Sequence, residues 1–173
     1  LSIGSVVMLR AIAKKIGLCE ALGNSQEGLL TLWQILARVI SQGSRLSAVR
    51  LAQSHAACDV LGIDKFDEDD LYANLAWLEK NQVKLENKLF KHLYPEEKPD
   101  LFLYDVTSSY FEGVKNELAD FGYNRDGKKG KMQIVIGLLC DKEGRPLSIE
   151  VFKGNTSDLT TFSHQIKKAA ERF

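Results

Sequence analysis

The stretch Leu101-Phe102-Leu103-Tyr104-Asp105-Val106-Thr107-Ser108-Ser109-Tyr110-Phe111 is where the character of the chain changes. It is rich in aromatic and β-branched residues, the composition of a strand. Downstream, residues 132–140 form a nearly continuous apolar run, which predicts a central strand buried on both faces. Residues 146–153 alternate Leu147, Ile149 and Val151 and predict a third strand. Asp141-Lys142-Glu143-Gly144 between them reads as a turn, so this pair is antiparallel. Gly154-Asn155-Thr156-Ser157-Asp158 then offers helix caps. Leu159, Phe162, Ile166 and Ala169 follow at helical spacing. The predicted order is β, β, β, α.

Upstream the period is that of helices. Ile3, Val6, Val7, Ala13 and Ile16 make one apolar stripe, closed near Gly17 or Gly23. Leu29, Leu32, Trp33, Leu36, Val39 and Ile40 make a second, ending near Gly43. A third helix is predicted from the N-cap Ser44 through Leu46, Val49 and Ala56, ending before Gly62. The longest carries Leu71, Leu75, Leu78, Leu85, Leu89 and Leu93. It opens on Asp67-Glu68-Asp69-Asp70, acids that favour a helix N-terminus more readily than they make a metal site, with Asp67 as the cap. Pro95 and Pro99 stop helix formation. The expected organisation is a helical region over 1–94, a linker over 95–99, and an α+β unit over 100–173.

Composition narrows the function classes. Lys+Arg and Asp+Glu both number 23, so the net charge is zero and any nucleic-acid contact must come from a local basic patch. Cys19, Cys58 and Cys140 are isolated, without CxxC spacing, and fit reduced thiols rather than zinc ligands or a disulfide framework. No apolar run approaches the ~20 residues of a membrane helix, and no signal peptide is visible, so a cytoplasmic protein is expected. Asn155-Thr156-Ser157 fits a glycosylation pattern but has no secretory context. The chain opens on Leu1 and stops at Phe173 inside a predicted helix, which reads as a piece of a longer parent.

Asp105 is the residue that points to chemistry. A carboxylate in mid-strand is costly unless paired, hydrogen-bonded or bound to a cation, and Asp is a poor strand former. Two readings stay open on the residues alone. Asp105 has a compensating partner, or it sits at a strand end and hydrogen-bonds Thr107 or Ser108.

The run Tyr104-Asp105-Val106-Thr107-Ser108-Ser109-Tyr110-Phe111-Glu112-Gly113 resembles the first catalytic block of insertion-sequence transposases of the DDE type. Three further stretches resemble the same family in the same order. They are Gly122-Tyr123-Asn124-Arg125-Asp126-Gly127, residues 133–139, and Val151-Phe152-Lys153-Gly154-Asn155-Thr156-Ser157-Asp158. Together they cover about residues 70–173. The resemblance implies the opening β-β-β-α of a ribonuclease-H-like fold, incomplete here, and a DNA transposase as the parent. It places the first catalytic Asp at Asp105, as a ligand of Mg2+ or Mn2+, and puts the second Asp and the Glu beyond Phe173. Asp158 precedes the helix and reads as a helix-start residue; Glu112 is a weaker carboxylate candidate than Asp105. Two-metal phosphodiester chemistry needs several carboxylates to hold ions roughly 3.5–4 Å apart. The fragment alone is therefore expected to be inactive and to bind metal weakly.

Arg125, Lys128, Lys129 and Lys131 crowd one loop with Gly127 and Gly130. They are candidate phosphate contacts, against the alternative of a solvated hairpin tip. The same loop spells GxxxxGK over 122–129, but Lys129 stands where a P-loop needs Ser or Thr, and a strand rather than a helix follows. No nucleotide is expected. The N-terminal helices offer a helix-turn-helix around 29–57 or a plain bundle. Other readings of the whole are a non-catalytic DNA-binding or assembly module from a decayed transposase, and a nuclease sharing the fold. An exposed sheet edge leaves a homodimer open; DNA is the expected partner.

Overall fold

The computed structural model describes residues 2–113, 115–123 and 130–173. The chain divides into two compact units, Leu1–Pro95 and Glu96–Phe173.

The first unit is helical: α1 (Gly4–Lys15), α2 (Leu18–Leu22), α3 (Gln26–Ile40), α4 (Arg45–Ser54), α5 (Ala57–Leu61) and α6 (Glu68–Leu93). Gly17 separates α1 from α2 in the left-handed region, φ 76°, which costs a glycine little. Val6, Leu32, Trp33, Leu36 and Leu71 lie in its core, and the Trp33 indole donates to the Ala48 carbonyl at 3.2 Å. The predicted third helix is two helices. The chain breaks at Ala56, φ 51°, a backbone shape that nothing in an alanine-rich sequence announces.

The acidic run before α6 is a cap. Asp70 N donates to Asp67 Oδ1 at 3.1 Å and Asp67 N to Asp70 Oδ2 at 2.9 Å, so two amides at the helix start are satisfied reciprocally. One polar cluster sits in the core between α3 and α6. Asn74 Oδ1 accepts from Gln34 Nε2 at 2.7 Å and Thr31 Oγ1 at 3.0 Å, and its Nδ2 donates to Glu27 O at 2.8 Å.

The second unit is α+β. Strands β1 (Phe102–Phe111), β2 (Met132–Asp141) and β3 (Pro146–Lys153) form an antiparallel sheet in the order β1-β2-β3, and α7 (Asp158–Arg172) follows. The β2–β3 turn is held by the side chain of Asp141, which is fully buried. Its Oδ1 accepts from the amides of Glu143 and Arg145 at 3.0 and 2.8 Å.

The expectation that β2 is buried on both faces is corrected. β2 is central, but its burial alternates. Val135, Leu139 and Asp141 are buried while Leu138 is exposed. A run of apolar residues reports what a strand could cover on each face, and here α7 packs on one face only.

Candidate active site

Strand pleating decides what Asp105 can meet. Phe102, Tyr104, Val106, Ser108 and Tyr110 are half-buried, whereas Leu103, Asp105, Thr107 and Ser109 are exposed. Phe102 and Tyr104 of the first set meet α7. The rings of Tyr104 and Phe162 are 6.2 Å apart and those of Phe102 and Phe173 6.3 Å. From β3, Glu150 Oε2 accepts from Gln165 Nε2 at 2.7 Å and from Lys168 Nζ at 3.1 Å. Burial pushes the Tyr104 phenol up from its ordinary value, partly opposed by Thr161 beside it.

Asp105 faces the other way. In register it stands opposite Leu138, and Leu138 stands opposite Ile149. Leu103, Leu138, Ile149 and Val151 on this face are 38–46% exposed. The carboxylate Oδ1 accepts from the Val106 amide at 2.8 Å. The strand-end alternative with Thr107 or Ser108 is not what the structure shows: the carboxylate's partner is the Val106 amide. Asp105 is in mid-strand, yet it keeps its water, so the burial cost does not arise.

The other candidates lie elsewhere. Glu112 follows β1 directly and pairs with Lys131 Nζ at 2.9 Å; both side chains are open, at 85% and 45% exposure, so the pair contributes little to stability. Lys131 is thus engaged by an acid. Arg125, Lys128 and Lys129 lie outside the described residues, as does most of the GxxxxGK segment. Asp158 opens α7, where Ser157 Oγ caps the helix by accepting from Thr160 N at 3.3 Å. Because α7 covers the Tyr104 face, the sheet keeps Asp158 away from Asp105.

Among the described residues no group of three His, Cys, Asp or Glu side chains is placed to hold a metal ion. Mg2+ takes one or two protein carboxylates and keeps several waters. An exposed carboxylate such as Asp105 fits one of those ligands.

The structure brings the resembling stretches together at Gln133, which already stands opposite Tyr110 in the β1–β2 ladder. Asp120 bridges to Gln133, with N···O distances of 3.1 and 3.0 Å in the two directions. Gln133 Nε2 donates to the carbonyls of Tyr123 and Gly154 at 3.2 and 2.9 Å, and Gly154 N donates to Leu118 O at 2.9 Å. A Cβ on Gly122 would come within 1.9 Å of Gly154 O, and one on Gly154 within 1.9 Å of Gln133 O. This knot pins residues 118–123 at the end of the sheet. It was missed from the sequence. The available signal was that Gly122, Gln133 and Gly154 each sit inside a stretch that carries the resemblance.

Set against protein-family models, curated proteins and solved structures, the chain matches none.

Proposed function

We propose that this chain is part of a DNA transposase of the DDE type, its second unit being the opening of a ribonuclease-H-like domain with Asp105 as the first catalytic carboxylate. The observation that carries the reading is Asp105 itself: a carboxylate in the middle of β1, on the open face of the sheet, with aliphatic Leu103, Leu138 and Ile149 as its neighbours. A position that disfavours Asp in a strand and offers it little in return is typical of a site kept for function rather than stability. The antiparallel β1-β2-β3 meander followed by α7 agrees with the fold that the resemblance implies.

Asp105 would hold Mg2+ or Mn2+ as one ligand of a set completed by further carboxylates. A bound ion there supplies stabilisation of charge on the phosphodiester oxygens and an activated oxygen nucleophile. The chain's own part is positional. The β1–β2 ladder fixes the backbone of Asp105, and the Val106 amide fixes one carboxylate oxygen at 2.8 Å, on a residue that is exposed and so open to a ligand.

The test is a strand-transfer assay with the complete reading frame that contains these residues, a labelled DNA 3′-end and Mg2+. Joined product with the wild type and none with Asp105→Asn is expected. Joining that persists in Asp105→Asn contradicts the assignment, and cleavage without joining identifies a nuclease instead.

A further inference from the structure

The knot at the end of the sheet holds out two aromatic rings. Phe121 is 63% exposed and Tyr123 is 84% exposed, on a segment whose backbone is fixed at Leu118, Asp120 and Tyr123 by bonds to Gly154 and Gln133. Asp120 Oδ1 accepts from the Phe121 amide at 2.8 Å, and Gly122 between the two aromatics has no room for a side chain. An isolated exposed aromatic is ordinary. Two of them bracketing a glycine, on backbone held against the sheet, are a different matter. Their presentation is prepaid: little conformational freedom remains to be lost when a flat ligand stacks on them.

The surrounding charge suggests which flat ligand. Lys131, two residues before the anchor Gln133, and Lys153, one before the anchor Gly154, are both exposed, and strand alternation places one on each face of the sheet. Lys131 is shared with Glu112 at 2.9 Å, an open pair that a phosphate can displace at small cost. Exposed aromatic faces with cations beside them match nucleobases on a phosphate backbone. Bases inside a duplex are already stacked on one another, so only unpaired ones can use such a platform.

We infer that Phe121 and Tyr123 form a stacking platform for unpaired bases of single-stranded DNA, with the exposed Lys131 and Lys153, near its two anchors in the chain, as the cations that meet the phosphates. The inference rests on the DNA-processing reading above and adds to it the strand state of the substrate at this end of the sheet.

The experiment is fluorescence anisotropy with a labelled oligonucleotide, presented single-stranded and as a duplex of the same sequence, to the 173-residue chain and to Phe121→Ala, Tyr123→Ala and Tyr123→Trp. Both positions are exposed, so the variants should keep the wild-type circular dichroism spectrum. The expected result is preference for the single strand, a loss of roughly five- to a hundredfold in that affinity for each Ala variant, and retention in Tyr123→Trp. The salt dependence should be unchanged in the Ala variants, because phosphate contacts set it. DNA binding that is unaltered in both Ala variants overturns the platform and leaves the assignment of Asp105 untouched. Binding to neither form of DNA overturns the platform, and the strand-transfer assay with the complete reading frame then decides separately whether DNA is the substrate of Asp105.

Discussion

Asp105 and Leu138 stand opposite one another on the open face of the sheet, a carboxylate beside an aliphatic side chain that is 38% exposed. The pairing favours neither residue. Asp105 makes a local bond to the Val106 amide and is otherwise exposed, so a side chain there buries little apolar area. Asp105→Val should still raise the stability of the second unit by about 0.5–1 kcal/mol, because Asp is a poor strand former, read as a shift of the urea midpoint. A loss of stability instead would show that the carboxylate serves the fold, which would undercut its reading as a functional group.

Asp141 is the opposite case, a carboxylate that the fold uses fully. Its Oδ1 takes two backbone amides and its Oδ2 takes Arg145 Nε at 2.6 Å. Removing it in Asp141→Ala leaves two amides without their acceptor and should cost about 2 kcal/mol. Arg145→Ala should cost less, about 1 kcal/mol, because the guanidinium is 45% exposed and the amides still hold the carboxylate. Equal losses in the two variants, measured by chemical denaturation, would mean that the ion pair and not the amide contacts closes the turn.

Much of this was legible beforehand, for identifiable reasons. The α6 N-terminus announces itself because Asp67 and Asp70 are spaced to cap each other, and the leucine period runs on behind them. The strands and the turn at Asp141 show as composition and alternation. What was not legible depends on partners distant in sequence or on backbone shape alone. Ala56 gives no local sign of its left-handed φ. Gln133 reads as one polar residue entering an apolar strand, and its bond to Gly154 lies 21 positions away. The exposure of Asp105 depends on which face α7 covers, and a strand's alternation names two faces without saying which is packed.

The knot gives a prediction that separates two kinds of glycine. In Gly122→Ala and Gly154→Ala the new methyl meets backbone within 1.9 Å, and backbone does not yield as a side-chain tip does. Each should lose about 2–3 kcal/mol. Gly144 has φ 78° with open space around its Cβ position, so Gly144→Ala should lose only about 1 kcal/mol. Thermal melts that rank Gly144→Ala as the most damaging of the three would contradict the packing seen at residues 118–123.

Tyr104 gives a pH prediction. Burial holds its phenol above the ordinary value of 10.0. As pH rises past that value, the unfolded chain releases this proton before the folded one does. The folded state then binds the proton in excess, and its stability falls with further alkalinity; below that window the group adds no slope. In Tyr104→Phe the alkaline loss should be smaller than in the wild type above about pH 10. At neutral pH the variant should stay within about 0.5 kcal/mol of wild type, because the Tyr104 hydroxyl, buried over Gly137, has only Thr161 beside it and makes no well-formed hydrogen bond. Parallel stability curves for the two proteins would mean that the phenol is not buried as described.

The central claim is that Asp105 is a metal-binding carboxylate, and titration of the 15N-labelled chain with Mn2+ tests it most directly. A bound paramagnetic ion should broaden the amide signals of Asp105 and Val106 and of Leu138 across the ladder, at millimolar rather than micromolar ion, since one carboxylate holds such an ion weakly. Asp105→Asn should abolish that broadening while leaving any at Asp67–Asp70 in place. Broadening confined to the acidic cap of α6, or unchanged at β1 in Asp105→Asn, would contradict the account.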